Sequence, residues 1–175
     1  MSLAKQTYLL FQRPNGGHLK VVTQALQQMV PYLQHKSVDC EAGGILLGRL
    51  LRDSNDIVVD EVTIPMPGDK RNRYAFYRAK RRHQEIINQR WQESSGTCIY
   101  LGEWHTHPER IPTPSTIDLK DWQRKLKTDT FENDLFFLIL GIEEARMWTG
   151  KQKSHEMRPM INIYQNNPDY DRKLT

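Results

Sequence analysis

The chain carries only two cysteines, Cys40 and Cys98, far apart and outside any CxxC pattern. A disulfide framework and a thiolate metal site are excluded as organising features, and both residues read as buried thiols. No apolar run approaches the roughly 18–20 residues that a bilayer span requires. The opening segment Met1-Ser2-Leu3-Ala4-Lys5-Gln6 lacks the apolar core of a signal peptide, so cytoplasmic residence without a membrane partner is expected. Internal repeats and low-complexity tracts are also missing, which leaves solenoids and long disordered linkers out of account.

What remains is a polar chain of 175 residues, 38% hydrophobic, with a mean hydropathy of −0.71. That length suits one domain over residues 1–175, with a core expected at about 20–165 and a polar tail after it. The net charge is +4, and its most local source is Lys70-Arg71-Asn72-Arg73 followed by Arg78-Ala79-Lys80-Arg81-Arg82. This block reads as a solvated loop and helix face, or as a docking surface for an acidic protein. Nucleic acid ranks last as a partner, because no aromatic-interleaved basic repeat or nucleic-acid motif accompanies the charge.

Thr7–Gln12 reads as a strand ending at the turn Pro14-Asn15-Gly16-Gly17. Val22, Leu26, Met29, Val30 and Leu33 follow helical spacing, with Pro31 placed to kink or split the helix. Gly43–Leu50 and Ile57–Ile64 read as a hairpin across Asp53-Ser54-Asn55-Asp56, and Pro65-Met66-Pro67-Gly68 then opens an irregular basic loop. A helix is expected over Arg81–Glu93, with Ile86, Ile87 and Trp91 as core contacts and Ser94-Ser95-Gly96 as its stop. Thr97–Trp104 reads as a strand, Ser115–Lys127 as a helix, and Leu135–Gly141, Arg146–Thr149 and Met160–Tyr164 as further sheet. The tail 166–175 reads as frayed. Elements mix without a βαβ rhythm, which predicts α+β: a mixed sheet flanked by helices.

The chemistry gathers at His105-Thr106-His107. Residues i and i+2 of a strand share a face, so two imidazoles can converge on one ion. Asp118 returns a carboxylate ten residues after His107, at the start of a helix. Two nitrogens and one oxygen form a donor set that Zn²⁺ accepts, with a fourth position left for water, as in catalytic zinc sites. Ser115-Thr116-Ile117-Asp118 also fits a capping box, and the two roles can coexist. Hydrolysis needs a base as well, and Glu103, two residues before His105, competes for it with Glu41, which precedes the apolar run Ala42–Leu47. Spacing does not choose between them. Other zinc hydrolases fit worse: Pro108-Glu109-Arg110 follows the histidines where a metallo-β-lactamase continues with x-Asp-His, and neither PCxxC nor HExxH occurs.

Glu41-Ala42-Gly43-Gly44-Ile45-Leu46-Leu47-Gly48, then His105-Thr106-His107-Pro108, then Pro114-Ser115 and Asp118, resembles the JAMM metalloprotease family, whose domain is also called MPN or JAB. The resemblance covers roughly residues 20–165. It implies an MPN/JAB-like domain in which Glu41 is the general acid/base, His105, His107 and Asp118 hold zinc, and Ser115 stabilises the oxyanion or positions the water. Glu103 is then left with a supporting role. Tyr100–Pro108, Pro112-Thr113-Pro114-Ser115, Trp122 and the run from Lys70–Arg73 into Phe76 are similar to the bacterial JAB peptidases of CBASS anti-phage operons. That likeness implies an isopeptidase that releases a CD-NTase from proteins to which its extended C-terminal tail has been conjugated. Two other readings remain: a peptidase that processes a ubiquitin-like sulfur-carrier precursor, and a non-catalytic MPN scaffold, which the retained ligand set disfavours.

Overall fold

The computed structural model describes residues 3–131, 134–152, 154 and 156–163. The chain begins with a 3-10 turn (Leu3–Lys5), strands β1 (Leu9–Gln12) and β2 (His18–Val21), and helix α1 (Thr23–Met29). Pro31 splits that helix as expected, leaving a 3-10 turn at Val30–Tyr32. β3 (Gly43–Leu50) and β4 (Ile57–Val62) form the expected hairpin. Next come β5 (Lys70–Asn72), β6 (Ala75–Tyr77), α2 (Lys80–Glu93), β7 (Ile99–Thr106) and α3 (Thr116–Thr128). β8 (Asp134–Leu140), β9 (Ala145–Lys151), β10 (Arg158–Pro159) and β11 (Ile161–Asn162) complete the described chain.

Nine strands form one sheet in the order β10-β9-β8-β7-β3-β4-β2-β1-β11. The pairs β2–β4 and β7–β8 are parallel and the others antiparallel, so the sheet is mixed. β10 and β11 sit at opposite ends of this order yet are separated only by Met160. The sheet must therefore curl until its edges nearly meet, and the Met160 N–H donating to Met147 O at 2.8 Å marks the seam.

Alternation along β8 shows how the layers divide. Phe136, Leu138 and Leu140 face the main core with Phe11, Leu46, Trp104 and the α1 residues Leu26 and Met29. Leu135, Phe137 and Ile139 face the other way, onto Trp122 and Leu126 of α3. A strand buried on both faces is apolar at every position, which is why this one reads as a continuous run. On the same outer face Ile45, Leu47 and Cys98 pack under Ile86 and Ile87 of α2. Thus α1 covers one face, and α2 and α3 cover the other, side by side.

Several expectations change. The core starts earlier than residue 20, because Leu3, Leu9 and Phe11 are fully buried in it. β2 adds a strand between the Pro14–Gly17 turn and the first helix, where none was expected. Pro65–Arg78 is not irregular throughout: β5 and β6 pair as a short hairpin. Trp91 is 54% exposed rather than a core contact, with its ring lying beside Gly96 at the helix stop. Both cysteines are free thiols, with Cys98 buried and Cys40 half-buried. Tyr164 and the tail 166–175 lie outside the described residues. No helix among the described residues is long and apolar enough to cross a membrane.

Candidate metal centre and groove

The register of β3 with β7 assembles the site. Gly43 stands opposite His105, and directly opposed residues of an antiparallel pair share a face. Just before β3 begins, Ala42 continues the pairing: Thr106 N donates to Ala42 O at 2.8 Å and Ala42 N donates to Thr106 Oγ1 at 3.0 Å. Continuing that register with a period of two puts Glu41, Gly43, His105 and His107 on one side. His107 is fixed from its other flank by β8, its N–H donating to Leu140 O at 3.0 Å. Glu41, His105 and His107 are all buried, and each offers a ligand atom within 4.8 Å of the others.

Asp118 meets both imidazoles. Its Oδ1 lies 3.3 Å from His105 Nε2 and its Oδ2 lies 3.4 Å from His107 Nε2, while the two Nε2 atoms are 3.0 Å apart. Ligand bonds of about 2.0–2.1 Å in a tetrahedron give edges of about 3.3 Å. The three donors therefore fit a single zinc ion by chemistry and by spacing. The capping box is present as well: Ser115 N donates to Asp118 Oδ2 at 2.6 Å, and Asp118 N donates to Ser115 Oγ at 3.2 Å. The helix start fixes the carboxylate within reach of both histidines. The Ser115 hydroxyl also donates to Asp118 Oδ2, at 2.6 Å.

Electrostatics separate the two acids. Burial would raise the Asp118 pKa, but hydrogen bonds from His105 and His107 outweigh it and hold the carboxyl far below the usual carboxylate range. Burial would lower that of His107, but its contact with Asp118 outweighs this and raises it. Glu41 is raised, chiefly by burial, although both imidazoles pull it down. Among the described residues its carboxylate makes no hydrogen bond or ion pair, so it is free to handle a proton.

Glu103 occupies a different setting. It shares the strand face with His105, but Arg78 pairs with one of its oxygens and Lys125 Nζ lies 2.5 Å from the other. Burial would raise its pKa, and Lys125 and Arg78 reverse that. Lys125 in turn pairs with Asp121. This network floors a groove of about 590 Å³ between α2 and α3 that opens at Glu41, His105 and Asp118. A bulge in β7 at Gly102, where φ is +145°, shifts the register so that Tyr100 joins Glu103 on the groove side. Glu103→Ala would leave Arg78 and Lys125 buried without their shared partner, and the expected loss is about 3–5 kcal/mol in urea unfolding. Because its folded pKa lies below the ordinary 4.5, the Glu103 contribution is present above that value and lost as pH falls through the folded one. The variant should therefore show a flatter acid limb of stability than the parent chain.

The hairpin was not legible in the sequence, and it walls the site. Asn72 O accepts the Glu41 N–H at 2.7 Å, Arg71 Nε donates to Glu41 O at 2.8 Å, and Phe76 covers Gly43 so closely that a Cβ there would lie 2.6 Å from its ring. The only local signal is Asn72, whose side chain accepts from Tyr74 N–H in an Asx turn. Arg71, Arg73 and Arg78 of the basic block are thus occupied, Arg73 by Lys36 O, and Arg81 pairs with Glu85. Lys70, Lys80 and Arg82 are exposed, with no carboxylate partner among the described residues.

A curled mixed sheet with two histidines and a helix-start aspartate converging beside a buried glutamate defines a JAB-type domain. The chain belongs to the family described as prokaryotic homologs of the JAB domain, whose model matches residues 23–158. It is 31% identical over 152 residues to a CD-NTase/cGAS isopeptidase of Escherichia coli, covering 87% of this chain and 93% of that protein. A CD-NTase/cGAS isopeptidase of Vibrio cholerae is 31% identical over 156 residues, with 89% and 93% covered. One from Pseudomonas aeruginosa is 42% identical over 99 residues, with 57% and 61% covered. A protein of Desulfitobacterium hafniense solved in solution shares the fold with a TM-score of 0.53 at 20% identity, over 79% of this chain and 87% of that one.

Proposed function

We propose that the chain is a zinc-dependent isopeptidase that hydrolyses the bond after the C-terminal residue of a conjugated protein, and that this protein is a CD-NTase in anti-phage defence. The observation that carries the reading is the convergence of His105, His107 and Asp118 beside the unpaired, buried Glu41, at the mouth of a groove. Relatives named CD-NTase/cGAS isopeptidase, matched over nearly their whole length, support the substrate.

His105, His107 and Asp118 would hold the zinc, and Glu41 and Ser115 would serve catalysis. Bound zinc would supply a Lewis acid that polarises the scissile carbonyl and acidifies the attacking water. Glu41 takes a proton from that water as its oxygen attacks the carbonyl carbon, then gives the proton to the departing lysine amine as the C–N bond breaks. Ser115 fixes the Asp118 carboxylate through its backbone and hydroxyl, and its hydroxyl can turn towards the developing oxyanion. The groove between α2 and α3 takes chain on one side of the cut bond. The setting proposed is the cytoplasm, with a protein substrate and neither nucleic acid nor membrane as partner.

The test is a fusion of the operon's CD-NTase tail to a reporter, incubated with the zinc-loaded protein and weighed by intact-mass spectrometry. A cut directly after the last CD-NTase residue is expected. Cleavage only after the glycine of a sulfur-carrier precursor would replace the substrate, and no cleavage of either by protein with full zinc content would overturn the reading.

A further inference from the structure

Thr63, His83 and Asp69 form a hydrogen-bonded chain in the interior, with side-chain exposures of 0% for His83 and 1% for Asp69. It has the residue types of a nucleophile triad, but the Thr63 hydroxyl is already engaged. It accepts the Ile45 N–H at 2.8 Å and lies 2.7 Å from His83 Nδ1, which accepts the Thr63 proton in a neutral ring that donates to the Asp69 carboxylate through Nε2. His83 Nε2 then carries the ring proton and donates to Asp69 Oδ2 at 3.1 Å. Burial lowers the His83 pKa, in keeping with a neutral ring. A buried hydroxyl whose proton and one lone pair are already committed is not placed to attack a substrate. The chain has another task.

Asp69 ends this chain at the base of the β5–β6 arm. Its two oxygens accept Met66 N–H and Ala79 N–H, each at 2.7 Å, and so clamp the start and the finish of the segment that carries the hairpin. At the other end of the arm, Asn72 O holds the Glu41 N–H and Arg71 holds Glu41 O. Thr63 meanwhile is locked to the sheet, its carbonyl accepting Trp104 Nε1 at 2.8 Å one residue before His105. One continuous set of bonds therefore runs from β3, β4 and β7 through His83 into the hairpin and on to the Glu41 peptide.

We propose that His83 is a positioning residue: through Asp69 it sets the hairpin, and through the hairpin it sets Glu41 against the histidine pair. The catalytic consequence rests on the isopeptidase reading above, whereas the mechanical one does not. Placement errors near 1 Å in a proton-transferring group can cost about a hundredfold in rate, so a tether of this kind acts on turnover more than on substrate binding.

The variants are His83→Phe, which fills the site without hydrogen bonds, and His83→Gln, which restores a donor towards Asp69. Two readouts are taken on the zinc-loaded full chain: hydrogen exchange of the Glu41 amide and of residues 70–77, and kcat and KM on the fusion substrate. His83→Phe should exchange those amides at least about tenfold faster, since buried hydrogen bonds of this kind are lost, while α3 and β8 stay protected. Its kcat should fall about tenfold with KM little changed, and His83→Gln should recover most of both effects. Unchanged hairpin exchange in His83→Phe overturns the proposal, as does a loss shared evenly by every element. Should His83→Phe not fold, the smaller His83→Leu takes its place under the same readouts: loss confined to the hairpin and the Glu41 amide upholds the Asp69 clamp, and unchanged exchange there refutes it. If the parent chain cleaves nothing while exchange responds as stated, the isopeptidase reading fails and the tether stands.

Discussion

Glu41→Gln should abolish turnover, by about 10²–10⁴-fold in kcat, while zinc content stays at the parent level. The substitution keeps the size and one carbonyl oxygen of the side chain but removes the proton-carrying site. His105, His107 and Asp118 are untouched, and their mutual spacings do not depend on the Glu41 side chain. The comparison also separates two roles that proximity leaves mixed, because Glu41 lies within ligand range of both histidines. A ligand role would make zinc content fall with activity, whereas the proton-transfer role leaves metal in place. Intact-mass kinetics and elemental analysis on one preparation read both. Glu103 offers no substitute base: its two oxygens are taken by Arg78 and Lys125, and its pKa is driven down, away from the range a proton shuttle needs.

That pair of glutamates shows what the sequence could and could not tell. The histidine pair and Asp118 were legible because their relations are local: i, i+2 on a strand, and a first-turn carboxylate fixed by its own capping box. Glu41 lies 64 residues before His105 in the chain. Its place beside the two histidines follows from the register of Gly43 with His105, which no spacing rule contains. Only resemblance favoured it over Glu103, whose two oxygens the structure shows held by Arg78 and Lys125. Strands β3, β4 and β8 were legible for the usual reason, as β-branched or leucine-rich runs bounded by turns. β5 and β6 were not, since three residues each, polar and exposed in β5 and half-buried or exposed in β6, are too few to carry a periodicity to read. Trp91 misled for the opposite reason: its helical spacing was right, but its ring lies over the helix end beside Gly96 instead of over the sheet. The buried chain through His83 was invisible because three elements must fold before its members meet.

His107→Ala should remove the metal and, with it, every stability increment that the metal provides. A ligand present at about a thousand times its Kd stabilises a fold by about 4 kcal/mol. The parent chain should therefore melt several degrees lower in a strong chelator, whereas His107→Ala should melt at one temperature with or without chelator. Full zinc occupancy in the variant would remove His107 from the ligand set. The metal-free parent is not expected to collapse, because Asp118 already lies 3.3 Å and 3.4 Å from the two imidazoles and pairs with them when they are protonated. That same contact makes the metal compete with a proton. The folded pKa of His107 is raised above the ordinary 6.5, so its pairing with Asp118 is fully present below 6.5 and lost as pH rises through the folded value. Zinc needs the neutral ring, so its affinity should climb with pH across that same interval and then level off. Titrating the metal-free chain with zinc at several pH values would show the slope, and a pH-independent affinity there would mean that His107 is not where the ion sits.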